Sequence, residues 1–152
     1  MTAAPRPPAA SIKRRLFSLI YESLALAAIL LAGALPAVML TRTWDPAIAR
    51  GVLQLWLAGV CGVYCVWQWV SAGQTLPMKT WRLRVVTNDG SPLTPARATA
   101  RYALALVSSF ALGLGFVWAL MDRDRQFLHD RLAGTRIVDT EGHVPATTPS
   151  DR

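Results

Sequence analysis

The sequence predicts an all-α membrane protein: a transmembrane helical hairpin plus a third hydrophobic helix or re-entrant helix pair, with a small cytoplasmic β-element beside them. Three observations carry this. Residues 16–40 hold one charge in 25 positions, residues 52–72 hold none in 21, and residues 102–121 hold none in 20. A helix needs about 20 apolar residues to cross the hydrocarbon core of a bilayer, so each run is long enough. A soluble domain of 152 residues has no interior for three such segments.

The elements follow in order. Residues 1–12 are rich in proline and alanine, have nothing to bury, and read as a disordered N-terminal tail. The transmembrane domain is expected over 13–139, and residues 140–152 read as a second disordered tail. Lys13, Arg14 and Arg15 precede the first run, as basic residues precede the core of a secretory signal. A signal core is about 7–15 residues long, and this run is longer and interrupted by Glu22, which favours a retained helix. Pro36 falls near its far end, where a break in the hydrogen-bond ladder is cheapest. The short connector over 41–51 contains Trp44, suited to the membrane interface, and makes the first two spans antiparallel neighbours. Cys61 and Cys65 are one helical turn apart in the second run, with no His or acid beside them, and read as packing residues rather than a metal site or disulfide.

Beyond Gly73 the pattern changes. Residues 81–86 alternate apolar and basic and end on β-branched side chains, as a half-buried strand does. Asn88-Asp89-Gly90 supplies a turn. Thr94-Pro95 reads as a helix cap followed by proline at the first helical position, and Arg97 and Arg101 then share one face ahead of the third run.

The net charge of +7 is not a nucleic-acid signal, because the basic residues flank the apolar runs without interleaved aromatics. Residues 1–15 carry four Lys/Arg, 41–51 two, 73–101 five, and the stretch after Met121 five. The N-terminus and the 73–101 segment are therefore expected in the cytoplasm. A straight third crossing would put Arg123, Arg125, Arg131 and Arg136 outside, against the charge rule. A run that bends back at Ser108-Ser109 or Gly113/Gly115 avoids this, and it lets the strand-like Thr135-Arg136-Ile137-Val138 pair with residues 83–86. The C-terminus is then cytoplasmic too.

Glu22 is the one charge in its run. A carboxylate near mid-bilayer costs about 2.5–3.5 kcal/mol on insertion scales, so it calls for a cationic partner, a proton or a hydrated pocket. Arg15 is seven positions away, on the same face but about 10 Å along the axis. A partner from another segment is expected, with Arg101 and Arg131 the candidates.

Several blocks together resemble a known family. Arg14-Arg15, Tyr21-Glu22, Gly73-Gln74-Thr75-Leu76, Leu83-Arg84-Val85-Val86 and Leu128-His129-Asp130-Arg131-Leu132-Ala133-Gly134-Thr135 are similar to the RDD family, small bacterial membrane proteins named for one arginine and two aspartates. The resemblance runs over about 13–138 and implies the family arginine at Arg15 or Arg14, the first acid at Glu22 and the second at Asp130. Two departures stand out. Glutamate replaces the usual first aspartate, and Pro77-Met78-Lys79 follows where the family has Gly-Lys. The resemblance implies a multi-pass protein of the bacterial inner membrane, and transport as the usual suggestion for its activity.

Two readings of the charges remain open on sequence. In one, Glu22 pairs with Arg101 or Arg131 and Asp130 with Arg15, and the pairs only specify packing where helices have little hydrophobic drive to associate. The protein is then a scaffold or accessory subunit for another membrane protein. In the other, Glu22, Asp122 and Asp130 form a proton or cation path, with His129 titrating near neutrality. No internal repeat appears, so a homo-oligomer would complete the wall of a transporter. No triad, phosphate loop or metal-ligand spacing is present. Neither an enzyme activity nor a cofactor or metal is expected, and the partners are the lipid bilayer and other copies or membrane proteins.

Overall fold

A computed structural model describes residues 10–110 and 127–140 of the chain. The tail residues 1–9 and 141–152, Asp122, and the third apolar run beyond Phe110 lie outside these residues.

Helix α1 spans Ile12–Thr41 and helix α2 spans Pro46–Ser71. At 1.5 Å per residue they are about 45 and 39 Å long, more than the roughly 30 Å hydrocarbon thickness. The turn between them is shorter than the expected 41–51 connector, because Asp45 starts α2 at once. Its Oδ1 accepts from the backbone amides of Ala47 and Ile48 at 2.9 and 3.3 Å, and Pro46 takes the first helical position. Helix α1 runs through Pro36 without ending there. Near that point Trp56 Nε1 donates to the Gly33 carbonyl across the helix pair at 3.0 Å. Most large side chains on both helices are exposed, Leu31 at 72% and Trp67 at 73%. A soluble core helix would hide this surface, whereas lipid covers it without cost.

After α2, Gly73 turns the chain in the left-handed region (φ +69°) and its carbonyl accepts from Val85 N at 2.7 Å. A short helix α3, Leu76–Thr80, follows, capped by the Thr75 hydroxyl. Trp81 then stacks on Phe17 of α1 (centroids 5.2 Å) and meets Tyr21 edge-on. Strand β1, Leu83–Thr87, pairs antiparallel with β2, Thr135–Asp139, with Val85 opposite Ile137. This is the pairing expected from the sequence. The Asn88-Asp89-Gly90 turn closes β1, with Gly90 N donating to the Thr87 carbonyl at 2.9 Å.

Helix α4, Pro95–Phe110, starts at the expected cap, where Arg97 N reaches Thr94 Oγ1 at 3.4 Å. It contains the first nine residues of the third apolar run. A one-and-a-half-turn helix α5, Leu128–Leu132, leads through Gly134 into β2. The described chain is ordered earlier than expected: Ala10 is buried and its amide donates to the Ile137 carbonyl at 3.0 Å. The core gathers at one end of the helix pair, where Cys65, Trp69, Met78, Leu83, Val85, Ala98, Phe127 and Ile137 pack together. The sheet therefore caps that end of α1 and α2, and everything polar of interest meets there.

Candidate functional site

A cavity of about 810 Å³ lies between α1, α2 and α4, closed at one end by α5 and the sheet. Its geometry follows from helical spacing. Arg15, Ser18, Leu19, Glu22, Leu26 and Leu30 recur every three or four residues on one stripe of α1. From α2 come Leu57, Ala58, Cys61, Cys65 and Trp69, and from α4 Arg101, Tyr102, Ala105, Leu106 and Ser109. The sheet end is charged. Away from it the walls are hydrocarbon, apart from scattered hydroxyls and Gln54.

At the sheet end the most enclosed ion pair joins Arg101 to Asp130. Nε and Nη2 of Arg101 lie 2.7 and 2.6 Å from Asp130 Oδ1, and both side chains are almost fully buried. The guanidinium rests on the Trp69 ring, 4.2 Å from its centroid, a cation–π contact strengthened by the absence of water. Thr135 adds hydrogen bonds to the Asp130 carbonyl (3.3 Å) and Oδ1 (3.5 Å). His129 is buried beside this pair, Nε2 at 3.6 Å from Asp130 Oδ1, with its ring stacked on Phe127. Burial pushes the imidazole below its ordinary value, opposed by Asp130 and reinforced by Arg101.

Glu22 is partnered differently. Its Oε2 accepts a hydrogen bond from Thr75 Oγ1, whose own oxygen caps α3. Oε1 is buried and has no hydrogen-bond partner among the described residues. The Tyr64 hydroxyl is a neighbour without a hydrogen bond of ordinary geometry, and Arg101 lies within electrostatic reach. Because a hydroxyl has one proton to give, Thr75 commits its proton to Oε2, and Oε1 keeps its acceptor capacity unused among the described residues.

These contacts correct the pairing expected from the sequence. Glu22 is held by Thr75, and not by an ion pair with Arg101 or Arg131. Asp130 is held by Arg101, and not by Arg15. Arg131 is exposed and does not line the cavity. Arg15 is buried with its guanidinium over the Phe127 ring, 5.5 Å from the centroid, and it lines the cavity on the same stripe as Glu22. Arg14 faces another way and pairs with Asp139 at the end of β2. The physical reason is reach. Helix α4 packs on α5, which brings Arg101 to Asp130, while Glu22 sits two helical turns below Arg15 and level with the start of α3. The structure thus brings Arg15, Glu22, Arg101 and His129 around one cavity with Asp130 directly behind. It leaves Arg14 and Arg131 on the periphery.

Tyr64, Trp69 and Phe127 were not singled out from the sequence, and Thr75 entered only as part of the Gly73-Gln74-Thr75-Leu76 block, with no role as a partner of Glu22. Thr75 alone had a readable signal, a helix-capping residue ahead of a proline in the first turn. The two thiols, Cys61 and Cys65, are free and buried on the cavity wall.

The model of the RDD family matches residues 9–134. No curated protein and no solved structure matches the chain.

Proposed function

The chain belongs to the RDD family, and from that premise we propose a multi-pass protein of the bacterial inner membrane that moves a small ion or solute through the cavity, with Glu22 gaining and losing a proton in step with the cargo. The observation that carries this is the half-satisfied carboxylate. Leaving a buried polar atom without a partner costs about 1–3 kcal/mol, more when it is charged, and Glu22 Oε1 is such an atom inside a helix long enough to span. A proton or a bound cation relieves that cost, and exchanging one for another is the elementary step of a coupled carrier.

The orientation follows the charge rule: N-terminus, sheet and α5 in the cytoplasm, and the α1–α2 turn outside. The β1–β2 pairing supports a common side for residues 83–87 and 135–139. Other copies of the chain would add to the wall that the described helices form around the cavity.

The scaffold reading has one observation in its favour. Arg101–Asp130 and Arg14–Asp139 tie distant segments together and need no substrate to explain them. Reconstitution separates the two readings. Wild-type protein in liposomes is expected to give dye-reported proton exchange against a cation or solute gradient, and Glu22→Gln is expected to abolish it while folding normally. Equal signals from both proteins, or none from either over a panel of ions, would sink the carrier and favour the scaffold.

A further inference from the structure

We propose that the outer face where α3 lies on α1 binds one anionic phospholipid, its phosphate held by Lys13 and Lys79 and its acyl chains running along the helix past Leu24. The site is on the lipid-facing surface, outside the cavity, and needs no proton on Glu22.

The grading of α1 is the first argument. Lys13, Phe17, Tyr21 and Leu24 recur every three or four residues on one stripe, and all four are exposed. In order they are a cation, two aromatics and an aliphatic side chain. Aromatic rings suit the level of the head groups and esters. From Lys13 to Tyr21 is about 12 Å of helix, enough for a phospholipid to pass from its phosphate into hydrocarbon. Arg14, next in the chain, turns away and pairs with Asp139, which leaves Lys13 as the cation on this stripe.

Helix α3 repeats the grading, which is the second argument. Pro77 and Met78 are buried while Leu76 and Lys79 are exposed, so α3 shows the lipid an apolar start and a basic end. Two contacts set its direction along α1. Thr75, just ahead of α3, bonds Glu22. Trp81, just past it, stacks on Phe17 with ring centroids 5.2 Å apart and meets Tyr21 edge-on. The basic end of α3 therefore lies towards Lys13. Because the Trp81–Phe17 stack fixes this end of α3 against α1, the two ammoniums are presented together and not as scattered surface charges.

Charge complementarity is the third. Neither Lys13 nor Lys79 has an ion pair among the described residues. The acids on the neighbouring elements are engaged elsewhere, Asp139 with Arg14 and Glu22 with Thr75. The proposed orientation puts this face at the cytoplasmic leaflet, whose anionic lipids attract lysines. A zwitterionic head group brings its own cation and forfeits that attraction. A soluble phosphate lacks the chains that would cover Leu24 and Leu76. One phospholipid with a net negative head group satisfies both requirements.

The test titrates full-length protein in dodecyl maltoside micelles with dioleoyl phosphatidylglycerol, bound lipid being counted by native mass spectrometry. Saturable binding is expected, at least about fivefold tighter than that of dioleoyl phosphatidylcholine, which carries the same chains. Glycerol phosphate, the head group without chains, should not compete. Lys13→Gln and Lys79→Gln should each weaken binding about fivefold, and together about 25-fold. Both side chains are exposed, so these substitutions should leave the fold intact, and Lys79→Arg, which keeps the charge, should bind as wild type. Arg97→Gln removes an exposed cation at the start of α4, outside this face, and should change nothing. Equal affinity for the two phospholipids, competition by glycerol phosphate, or a double variant that binds as wild type would each overturn the proposal. So would an Arg97→Gln loss equal to that of Lys79→Gln, which would reduce the site to diffuse surface charge. Phosphatidylglycerol binding by a protein that moves nothing in liposomes would keep the site and remove only the carrier.

Discussion

Removing one member of the Arg101–Asp130 pair should cost more than any other single polar change in the described fold. Both side chains are at most 5% exposed, and two guanidinium nitrogens converge on one carboxylate oxygen at 2.6 and 2.7 Å. Solvent screening, which reduces exposed pairs to about 0–1 kcal/mol, is absent here. Breaking a buried pair from one side costs about 3–5 kcal/mol, because the partner is left charged and dry. Asp130→Asn keeps an oxygen for one donor and should fall near the lower figure, about 3 kcal/mol. Asp130→Ala also removes the Thr135 contact at 3.5 Å and should approach the upper one. The double variant Arg101→Met/Asp130→Leu replaces both charges with hydrocarbon of similar volume. It should recover most of the loss, so the cycle returns a coupling of about 3 kcal/mol. Unfolding in mixed micelles with increasing sodium dodecyl sulfate measures all four proteins. A loss below about 1 kcal/mol for Asp130→Asn would mean a solvated pair of surface strength, and the enclosed ion pair described above would be wrong.

Three further outcomes follow from the same geometry. Gly73→Ala should destabilise by about 1–2 kcal/mol or more, since φ is +69° and the added Cβ would meet Arg84 Nε at 2.6 Å; an unchanged unfolding midpoint would contradict that turn. Thr75→Val removes both the α3 cap and the donor to Glu22; it should cost about 1–2 kcal/mol and shift the pH profile of any Glu22-dependent flux. Acidification should weaken the fold through His129. Its imidazole is held below 6.5 in the folded state by burial above all, so between that folded value and 6.5 the unfolded chain binds more protons, and stability falls as pH falls until the folded imidazole also titrates. His129→Gln should flatten this slope in micelle unfolding from about pH 8 to about pH 5, the range where histidine titrates. A slope unchanged by the substitution would refute the assignment.

The two long helices were legible because a membrane span declares itself by length and missing charge alone, with no need to know its neighbours. The β1–β2 pair was legible for a related reason. Alternation at 83–86 and β-branching at 135–138 are local signals, and only one partner of that kind existed. Helix α3 and helix α5 were not legible, since five residues are too few for a 3.6-residue period to register. The partners of the charges were not legible either. From the sequence, Arg101 and Arg131 are the candidates for Glu22 and Arg15 for Asp130. The choice is made by α4 packing on α5 and by the Trp69 ring beneath Arg101, both tertiary facts. A threonine hydroxyl serving Glu22 leaves even less trace, because Thr75 is already explained as a cap.

The two acids that the resemblance singles out, Glu22 and Asp130, therefore divide by whether a cation holds them. Asp130 is ion-paired: two nitrogens of Arg101 and the Thr135 hydroxyl meet its Oδ1, and a short helix fixes the backbone, while its Oδ2, like Glu22 Oε1, is buried without a hydrogen bond among the described residues. A carboxylate so enclosed has little room to exchange a proton or cargo, and its value is to lock α4 against α5 and β2. Glu22 has one oxygen fixed by Thr75 and the other buried without a partner beside a cavity. Fixing one oxygen orients the group, and the other keeps lone pairs that no described residue uses. Glu22→Gln keeps an acceptor for Thr75 and removes a charge that has no ion pair, so it should leave micelle stability unchanged or raise it, by up to about 1–3 kcal/mol for a desolvated charge removed. Asp130→Asn should do the opposite. If both substitutions destabilise the protein equally, the two carboxylates are structural in the same sense, and the proton-carrying role assigned to Glu22 falls with that result.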